Sequence, residues 1–191
     1  MTKFNNTETI AIDSNILTYF VAATTHGYLP DLKNDDPKTV QLEKEHVTSF
    51  QIPMYSKWYA ILPAVRTEYL KIKEDNKLSF HIYADQIFID YDYAYLDRKV
   101  INKRAEEFNE IHTGTKKYND CLIAAEAEAI KDTTILLSND FTFIEKINPI
   151  VNDLIIMKPT DFKSRFNLKN ESLKTSPSES NYLSKETWWR L

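Results

Sequence analysis

The stretch from Thr9 to Phe20 constrains the fold more than any other part of the sequence. A short, mostly apolar run, Thr9-Ile10-Ala11-Ile12, ends abruptly at Asp13, and the pattern then becomes one typical of a helix over residues 15–23. We predict a buried β-strand followed by a helix. Burying an ionised carboxylate without compensation is costly, so Asp13 needs a partner. That partner has to come from elsewhere in the chain or from a ligand.

Apolar runs and helical patterns alternate along the rest of the chain. Further strands are predicted at 57–62, 86–90, 134–138 and 154–157. Helices are predicted after Pro63 and at about 95–111, 115–130 and 160–166. Strands that alternate with helices favour a mostly parallel sheet covered on both faces. The predicted fold class is therefore α/β, with three layers (α/β/α) around a central sheet of about five strands.

Spacing also predicts which helix positions face the core. In the helix at 95–111 the predicted inward residues are Leu96, Val100, Ile101, Phe108 and Ile111. The helix at 115–130 is rich in small residues, and Asp120 shares a face there with Ile123, Ala124 and Ala127. We therefore expect Asp120 to lie against the core and Glu126 to point elsewhere.

The chain length of 191 residues suits one domain with an appendage. Residues 1–166 form the predicted domain, in which glycine and proline interrupt a partly helical insertion at 24–56. This insertion is either a surface elaboration or a lid that binds substrate. The polar tail at 167–191 ends with Trp188-Trp189, which we expect to dock on the domain or on a partner.

Composition excludes several classes of protein. No apolar run is long enough to span a membrane, and the polar start lacks the features of a signal peptide, so we expect a cytoplasmic protein without membrane contact. The lone Cys121 cannot form a disulfide within the chain, which agrees with a reducing compartment. The two glycines, Gly27 and Gly114, are too few for a Walker A loop or a dinucleotide-binding fingerprint. The formal charge of −4 gives no sign of nucleic-acid binding.

Four acidic residues are predicted to meet at one edge of the sheet. Asp13 and Asp140 follow strand ends, whereas Glu68 and Asp120 occupy early turns of helices, and in a parallel α/β sheet these positions lie at the same edge. Carboxylates brought this close repel one another unless a cation neutralises them. Oxygen ligands without a cysteine or histidine cluster favour one or two Mg²⁺ or Mn²⁺ ions. Such a site fits the hydrolysis of phosphodiester bonds.

Each acid also has a local explanation. Asp13 or Asn15 could cap a helix, and Glu68 could pair with Arg66 or a nearby lysine. Asp120 could interact with its helix dipole, and Asp140 could be a turn residue. Asp90 and Asp92 follow the third strand at the same edge, although Asp90-Tyr91-Asp92-Tyr93 has the composition of an ordinary turn.

Basic residues near the acidic helix starts are candidates for RNA contact through phosphate groups, with plain solvated side chains as the alternative. These candidates are Arg66, Lys71, Lys116 and Lys117.

Four segments together resemble the PIN-domain family of metal-dependent nucleases, and specifically its small toxin-like (VapC-like) ribonucleases. Ile12-Asp13-Ser14-Asn15 resembles the first acidic motif of the family, and 63–68 resembles the strand and helix that carry its glutamate. Residues 119–125, which include Asp120, are similar to the third motif, and 137–143, which include Asp140, are similar to the fourth.

The resemblance implies that Asp13, Glu68, Asp120 and Asp140 bind Mg²⁺ or Mn²⁺. It further implies that Asn15 and Ser138 orient the carboxylates or water. The activity implied is cleavage of RNA, often by a homodimer that has a cognate antitoxin. The insertion at 24–56 and the tail depart from a compact toxin.

Two other functions are compatible with the sequence. The scaffold could be a non-catalytic module that binds RNA or protein, with the tail as its docking segment. Alternatively, Asp13 could be the nucleophile of a phosphatase of the haloacid dehalogenase type. That family has a second aspartate two residues after the first, whereas this chain has Asn15.

Overall fold

The structure is a computed structural model that describes residues 9–17, 45, 48, 59–69, 71, 89–90, 96–112, 117–131 and 133–166. Several predictions fall on residues that lie outside these ranges. They concern the helix beyond residue 17, most of the insertion at 24–56, Asp92, Lys116, and the tail at 167–191 with its two tryptophans.

Short strands alternate with helices along the described residues. The strands are β1 (Thr9–Ile12), β2 (Tyr59–Ile61), β3 (Ile89–Asp90), β4 (Thr133–Leu137) and β5 (Ile155–Met157). The helices are α1 (Pro63–Tyr69), α2 (Arg98–Ile111), α3 (Tyr118–Ala129), α4 (Phe141–Ile147) and α5 (Pro159–Arg165). Residues 14–17 form a helical turn directly after Asp13.

All the strands pair in parallel, in the order β3-β2-β1-β4-β5. In β1, consecutive residues Ile10, Ala11 and Ile12 are all buried. Because successive side chains in a strand point to opposite faces, both faces of the sheet are covered at β1. The predicted α/β class with a parallel sheet is therefore confirmed.

Helix α2 buries only part of the face that was predicted. Its core residues are Ile101, Ala105 and Phe108, whereas Val100 and Ile111 are 61% and 48% exposed. The spacing of the buried residues continues to His112, directly after the helix, which is buried as well. The prediction was wrong for Val100 and Ile111 because it followed apolar identity, whereas the buried face includes a small residue and a histidine.

Helix α3 is buried on more than one side. Cys121 and every residue from Ile123 to Ala127 are buried, so no single stripe separates core from solvent. The expectation that Asp120 rather than Glu126 is the acid set against the core was wrong, because Glu126 is the more deeply buried of the two. Its carboxylate is fully buried and accepts hydrogen bonds from the Ala64 backbone N–H and from Arg98, both at 2.7 Å.

One residue of the insertion is tied to the last helix. Glu45 is buried, and its carboxylate accepts hydrogen bonds from the Thr160 hydroxyl at 2.6 Å and the Thr160 backbone N–H at 3.2 Å. Thr160 lies in the first turn of α5, so this part of the insertion packs beside the end of β5.

Among the described helices, none combines the length and apolar character needed to cross a membrane.

Candidate functional site

The strand order places a topological switch point, where open α/β folds form a crevice, between the carboxyl ends of β1 and β4. These two strands are neighbours, but the chain continues from β1 to β2 on one side and from β4 to β5 on the other. Open α/β sheets bind ligands at such a switch point. The register pairs Ile12 with Leu137, so Asp13 and Ser138 are the next residues on either side of the crevice.

Asp13 is held by donors from both strands. One carboxylate oxygen, Oδ1, accepts hydrogen bonds from the Ser14 backbone N–H at 2.6 Å and the Ser14 hydroxyl at 3.2 Å. The other, Oδ2, accepts from Asn15 Nδ2 and from the Ser138 hydroxyl, both at 2.6 Å. The side chain is only 3% exposed, and burial raises its pKa although these donors act in the opposite direction. The charge of Glu68 adds to the rise in pKa.

Asn15 and Ser138 join the two sides of the crevice. Asn15 Oδ1 accepts a hydrogen bond from the Asn139 backbone N–H at 3.1 Å, while Asn15 Nδ2 also lies 3.3 Å from the Ser138 hydroxyl. The Ser138 hydroxyl accepts a further hydrogen bond from the Asp140 backbone N–H at 3.1 Å. Ser138 thus connects Asp13 to the residue that begins α4. This contact positions the loop after β4 relative to Asp13.

A lysine bridges the other two aspartates. Lys117 Nζ donates to Asp140 Oδ2 at 2.6 Å and lies 3.5 Å from Asp120 Oδ2. Asp140 also caps α4, because its Oδ1 accepts a hydrogen bond from the Phe143 backbone N–H at 3.0 Å. Lys117 directly precedes α3, which carries Asp120 in its first turn. The starts of α3 and α4 therefore meet through one ammonium group.

The two aspartates differ in how readily they ionise. Burial raises the pKa of Asp120 to about 6, and the charges of Asp13 and Asp140 contribute to that rise. Burial opposes ionisation of Asp140 as well, but the hydrogen bonds from Lys117 and the Phe143 N–H outweigh it and lower its pKa. Of these two carboxylates, Asp120 is thus the one whose charge is less compensated.

His112 lies beside these aspartates, and the sequence analysis missed it. Its Nε2 is 3.8 Å from Asp120 Oδ2, and its ring packs against Phe143 with centroids 5.8 Å apart. Burial and the charge of Lys117 both lower its pKa below the ordinary value of 6.5. Three residues, His112, Asp120 and Asp140, each offer one ligand atom, and these three atoms all lie within 4.8 Å of one another. The spacing Ile101, Ala105, Phe108 and His112 is the signal that could have identified this histidine.

The four predicted acids are thus distributed over two parts of the site. Asp120 and Asp140 come together around Lys117, whereas Asp13 lies outside their 4.8 Å group and is linked to it through Ser138. Glu68 is half-buried in α1 and also lies outside that group, but its charge acts on Asp13.

The buried Glu126 connects the helices behind the site. It binds the backbone at Ala64 in the first turn of α1, about one helical turn before Glu68, and it pairs with Arg98 at the start of α2. Since Asp120 and Glu126 both belong to α3, this contact fixes the helix that carries Glu68 relative to the helix that carries Asp120. A second ion pair, between Arg104 of α2 and Glu128 of α3 at 2.7 Å, supports the same packing.

The donor set fits a divalent cation. Carboxylates that raise one another's pKa are neutralised by a positive charge, and a buried imidazole without a partner can contribute a nitrogen ligand. Both ring nitrogens of His112 are buried and have no hydrogen-bond partner within the described part of the chain. At present the compensating charge comes from Lys117.

The predicted basic contacts differ in their surroundings. Lys117 is engaged with two aspartates rather than plainly solvated. Lys71 is exposed, and Arg66 is half-buried within α1.

No protein-family model matches this chain, and no curated protein matches it. The chain is similar to a solved structure of VapBC2 from Rickettsia felis bound to a DNA fragment from its promoter. The two are 20% identical with a TM-score of 0.45, and the match covers 78% of this chain and 96% of the other. Because a fold hosts many functions, function is inferred from the side chains of the site.

Proposed function

We propose that this protein is a metal-dependent endoribonuclease that hydrolyses phosphodiester bonds with Mg²⁺ or Mn²⁺. The observation that carries the proposal is that Asp120 and Asp140 lie close together at the switch point of the sheet. Asp13 is connected to Asp140 there through the Ser138 hydroxyl. Open α/β folds bind their ligands at this edge of the sheet. Burial and the charges of Asp13 and Asp140 raise the pKa of Asp120, and perturbed carboxylates of this kind are typical of functional sites.

In this proposal Asp13, Glu68, Asp120 and Asp140 hold one or two divalent ions. A bound ion would polarise the phosphodiester and activate a water molecule for attack. Asn15 and Ser138 act as positioning residues, because both donate to Asp13 Oδ2 and leave its carboxylate in one orientation.

The basic residues would hold the phosphates of the substrate. Once a metal ion neutralises the aspartates, the Lys117 side chain can turn away from Asp140, so that its ammonium group binds a phosphate instead. Arg66, Lys71 and Lys116 are the further candidates. An exposed ring, Phe141, lies directly after Asp140, with Lys158 Nζ 3.7 Å from its centroid. A ring and a cation beside the acids favour a single-stranded nucleic acid, since bases stack on such rings.

Cleavage of RNA is the direct test. Purified protein is incubated with structured and single-stranded RNAs in Mn²⁺ or Mg²⁺, and cleavage is expected to disappear with EDTA. Asp120→Asn and Asp13→Asn should each lower the rate by about 10²-fold or more, because each removes charge from the metal site. Glu106→Gln removes an exposed acid of α2 and should cleave like the wild type. Cleavage that survives EDTA and both aspartate variants would overturn the proposal.

The resemblance to toxin-like ribonucleases suggests the biological setting. We propose that the chain acts on RNA in the cytoplasm, that it forms a homodimer, and that an antitoxin protein restrains it. Expression in a bacterial host should then arrest growth, whereas Asp120→Asn should not. Equal growth of the two strains at equal protein levels would argue against a toxin.

A non-catalytic binding module is the second candidate, and Lys117 favours it. Its ammonium group already neutralises Asp140 and Asp120, so the acids have an internal counter-charge. In that case titration calorimetry should detect no binding of Mn²⁺ or Mg²⁺, while RNA or a protein partner still binds. Binding of a divalent ion that is lost in Asp120→Asn would instead favour the nuclease.

A further inference from the structure

His112 occupies a position that packing alone does not explain. Its side chain is 1% exposed, at the end of the buried face of α2 formed by Ile101, Ala105 and Phe108. Its backbone N–H is satisfied by the Phe108 carbonyl at 2.8 Å, but neither ring nitrogen has a hydrogen-bond partner among the described residues. Leaving buried polar atoms without partners costs free energy, so native structures contain few of them.

The ring is directed at the carboxylates of the site. His112 Nε2 lies 3.8 Å from Asp120 Oδ2, which is beyond the length of a hydrogen bond but within the separation of two ligands on one ion. Metal ions bind nitrogen and oxygen at about 2.0–2.2 Å, so two ligand atoms can be up to roughly 4.4 Å apart. Asp140 completes a group within 4.8 Å, which a small side-chain movement would bring onto one ion.

We propose that His112 is a nitrogen ligand of a divalent transition-metal ion that it shares with Asp120 and Asp140. This deepens the proposed function, because it selects among the ions that a site of carboxylates alone would accept. Imidazole suits transition metals, whereas Mg²⁺ prefers oxygen ligands and retains its water. The site should therefore prefer Co²⁺ or Mn²⁺ to Mg²⁺, with Co²⁺ bound more tightly than Mn²⁺.

The identity of the ligand atom can be read without measuring catalysis. Mn²⁺ is bound to the full-length wild-type protein, and electron spin-echo modulation is used to detect nitrogen coupled to the ion. Labelling only the histidines with ¹⁵N should change the modulation from that of ¹⁴N to that of ¹⁵N. Absence of any histidine coupling in the wild type overturns the proposal, and this measurement needs no variant that might fail to fold.

Variants then assign the coupling to one residue. His112→Ala should abolish the nitrogen coupling and weaken Co²⁺ and Mn²⁺ binding in calorimetry by about 10–100-fold. Its Mg²⁺ affinity should change by less than about threefold. His112→Asn, which restores a polar group, controls for the cavity. His26→Ala removes another of the four histidines and should retain both coupling and affinity. Coupling that persists in His112→Ala contradicts the proposal.

The outcome is distinguishable from that of the nuclease proposal. Histidine-coupled Mn²⁺ without cleavage of RNA would leave the metal ligand standing and refute the nuclease. Cleavage of RNA by a protein whose bound Mn²⁺ shows no histidine coupling would do the reverse.

Discussion

The two sides of the crevice provide their carboxylates with different partners. On the Asp13 side (Asp13, Ser14, Asn15 and Ser138), four donors reach the two oxygens of one carboxylate. On the Asp120 side (His112, Lys117, Asp120 and Asp140), two carboxylates share one ammonium group, and an imidazole has no partner within the described ranges. A carboxylate has about four lone-pair sites, so protein donors occupy those of Asp13, and an ion that binds Asp13 has to displace one of them, whereas Asp120 has lone pairs to spare.

The difference suggests a division of labour. The Asp13 side is built to keep one side chain in place, because strand register and short hydrogen bonds define every contact. On the Asp120 side, one ammonium group, that of Lys117, contacts the carboxylates of both Asp120 and Asp140. A cation would therefore change the Asp120 side far more than the Asp13 side.

The largest expected effect is on stability and should separate the two aspartates. Asp13→Asn places an amide N–H₂ against a donor whichever way the amide turns, because Ser14 N–H faces one oxygen and Asn15 Nδ2 faces the other. We expect a loss of about 2–3 kcal/mol in the free energy of unfolding. Asp120→Asn removes a poorly compensated charge, so stability should stay within about 1 kcal/mol of the wild type or increase. Urea denaturation at pH 7.5 with EDTA measures both.

Ser138→Ala provides a matched control for the Asp13 side. It removes one donor from Asp13 without adding a new one, and it should cost less than Asp13→Asn, about 1 kcal/mol. If Asp120→Asn is the more destabilising aspartate variant, the assignment of occupied lone pairs to Asp13 and spare ones to Asp120 is wrong.

Much of the fold could be predicted because short-range patterns carry it. The strand that ends at Asp13 and the strand that ends before Ser138 are apolar runs bounded by polar residues, and parallel topology brings their ends together. The faces of α2 and α3 could not be predicted as well. Val100 is apolar but exposed, and Glu126 is charged but buried, because tertiary partners decide both positions.

The site was predictable in its elements but not in its contacts. Topology places Asp13 and Asp140 at neighbouring strand ends, whereas only side-chain packing determines that Lys117 lies between Asp120 and Asp140. His112 was missed because a lone histidine at a helix end resembles a surface residue, and its burial depends on the register of α2. Sequence reasoning thus predicted an all-oxygen site, whereas in the structure a histidine nitrogen also lies 3.8 Å from the Asp120 carboxylate.

A second prediction extends the comparison to another buried acid, Glu126. Its oxygens accept from the Ala64 N–H and from Arg98, so it is satisfied like Asp13. Glu126→Gln turns an N–H₂ group towards one of these donors and should cost about 1–2 kcal/mol at pH 5. Burial raises the pKa of Glu126 above its ordinary value of 4.5. Its stabilising contribution is therefore fully present below about pH 4.5 and is lost as the pH rises through the folded-state pKa.

The difference in the free energy of unfolding between the wild type and Glu126→Gln should accordingly become smaller between pH 5 and pH 8. Urea denaturation across this range measures it, and all other titrating groups cancel because the two proteins share them. Glu106→Gln, at an exposed position of the neighbouring helix, should unfold with the same free energy as the wild type across this range. A difference that grows with pH would mean that the ionised pair with Arg98 outweighs the cost of burial.

The smallest expected effect concerns the lysine that bridges the Asp120 side. Lys117→Met removes the ammonium group that a metal ion must displace, so Mn²⁺ should bind roughly three to ten times more tightly in calorimetry. RNA cleavage should nevertheless fall, because the variant also lacks a phosphate contact. Lys131→Met, at an exposed position just after α3, changes the same net charge and should alter neither quantity. Unchanged Mn²⁺ affinity in Lys117→Met would mean that the ion binds without displacing the lysine, and the Asp120 side would then hold both charges at once.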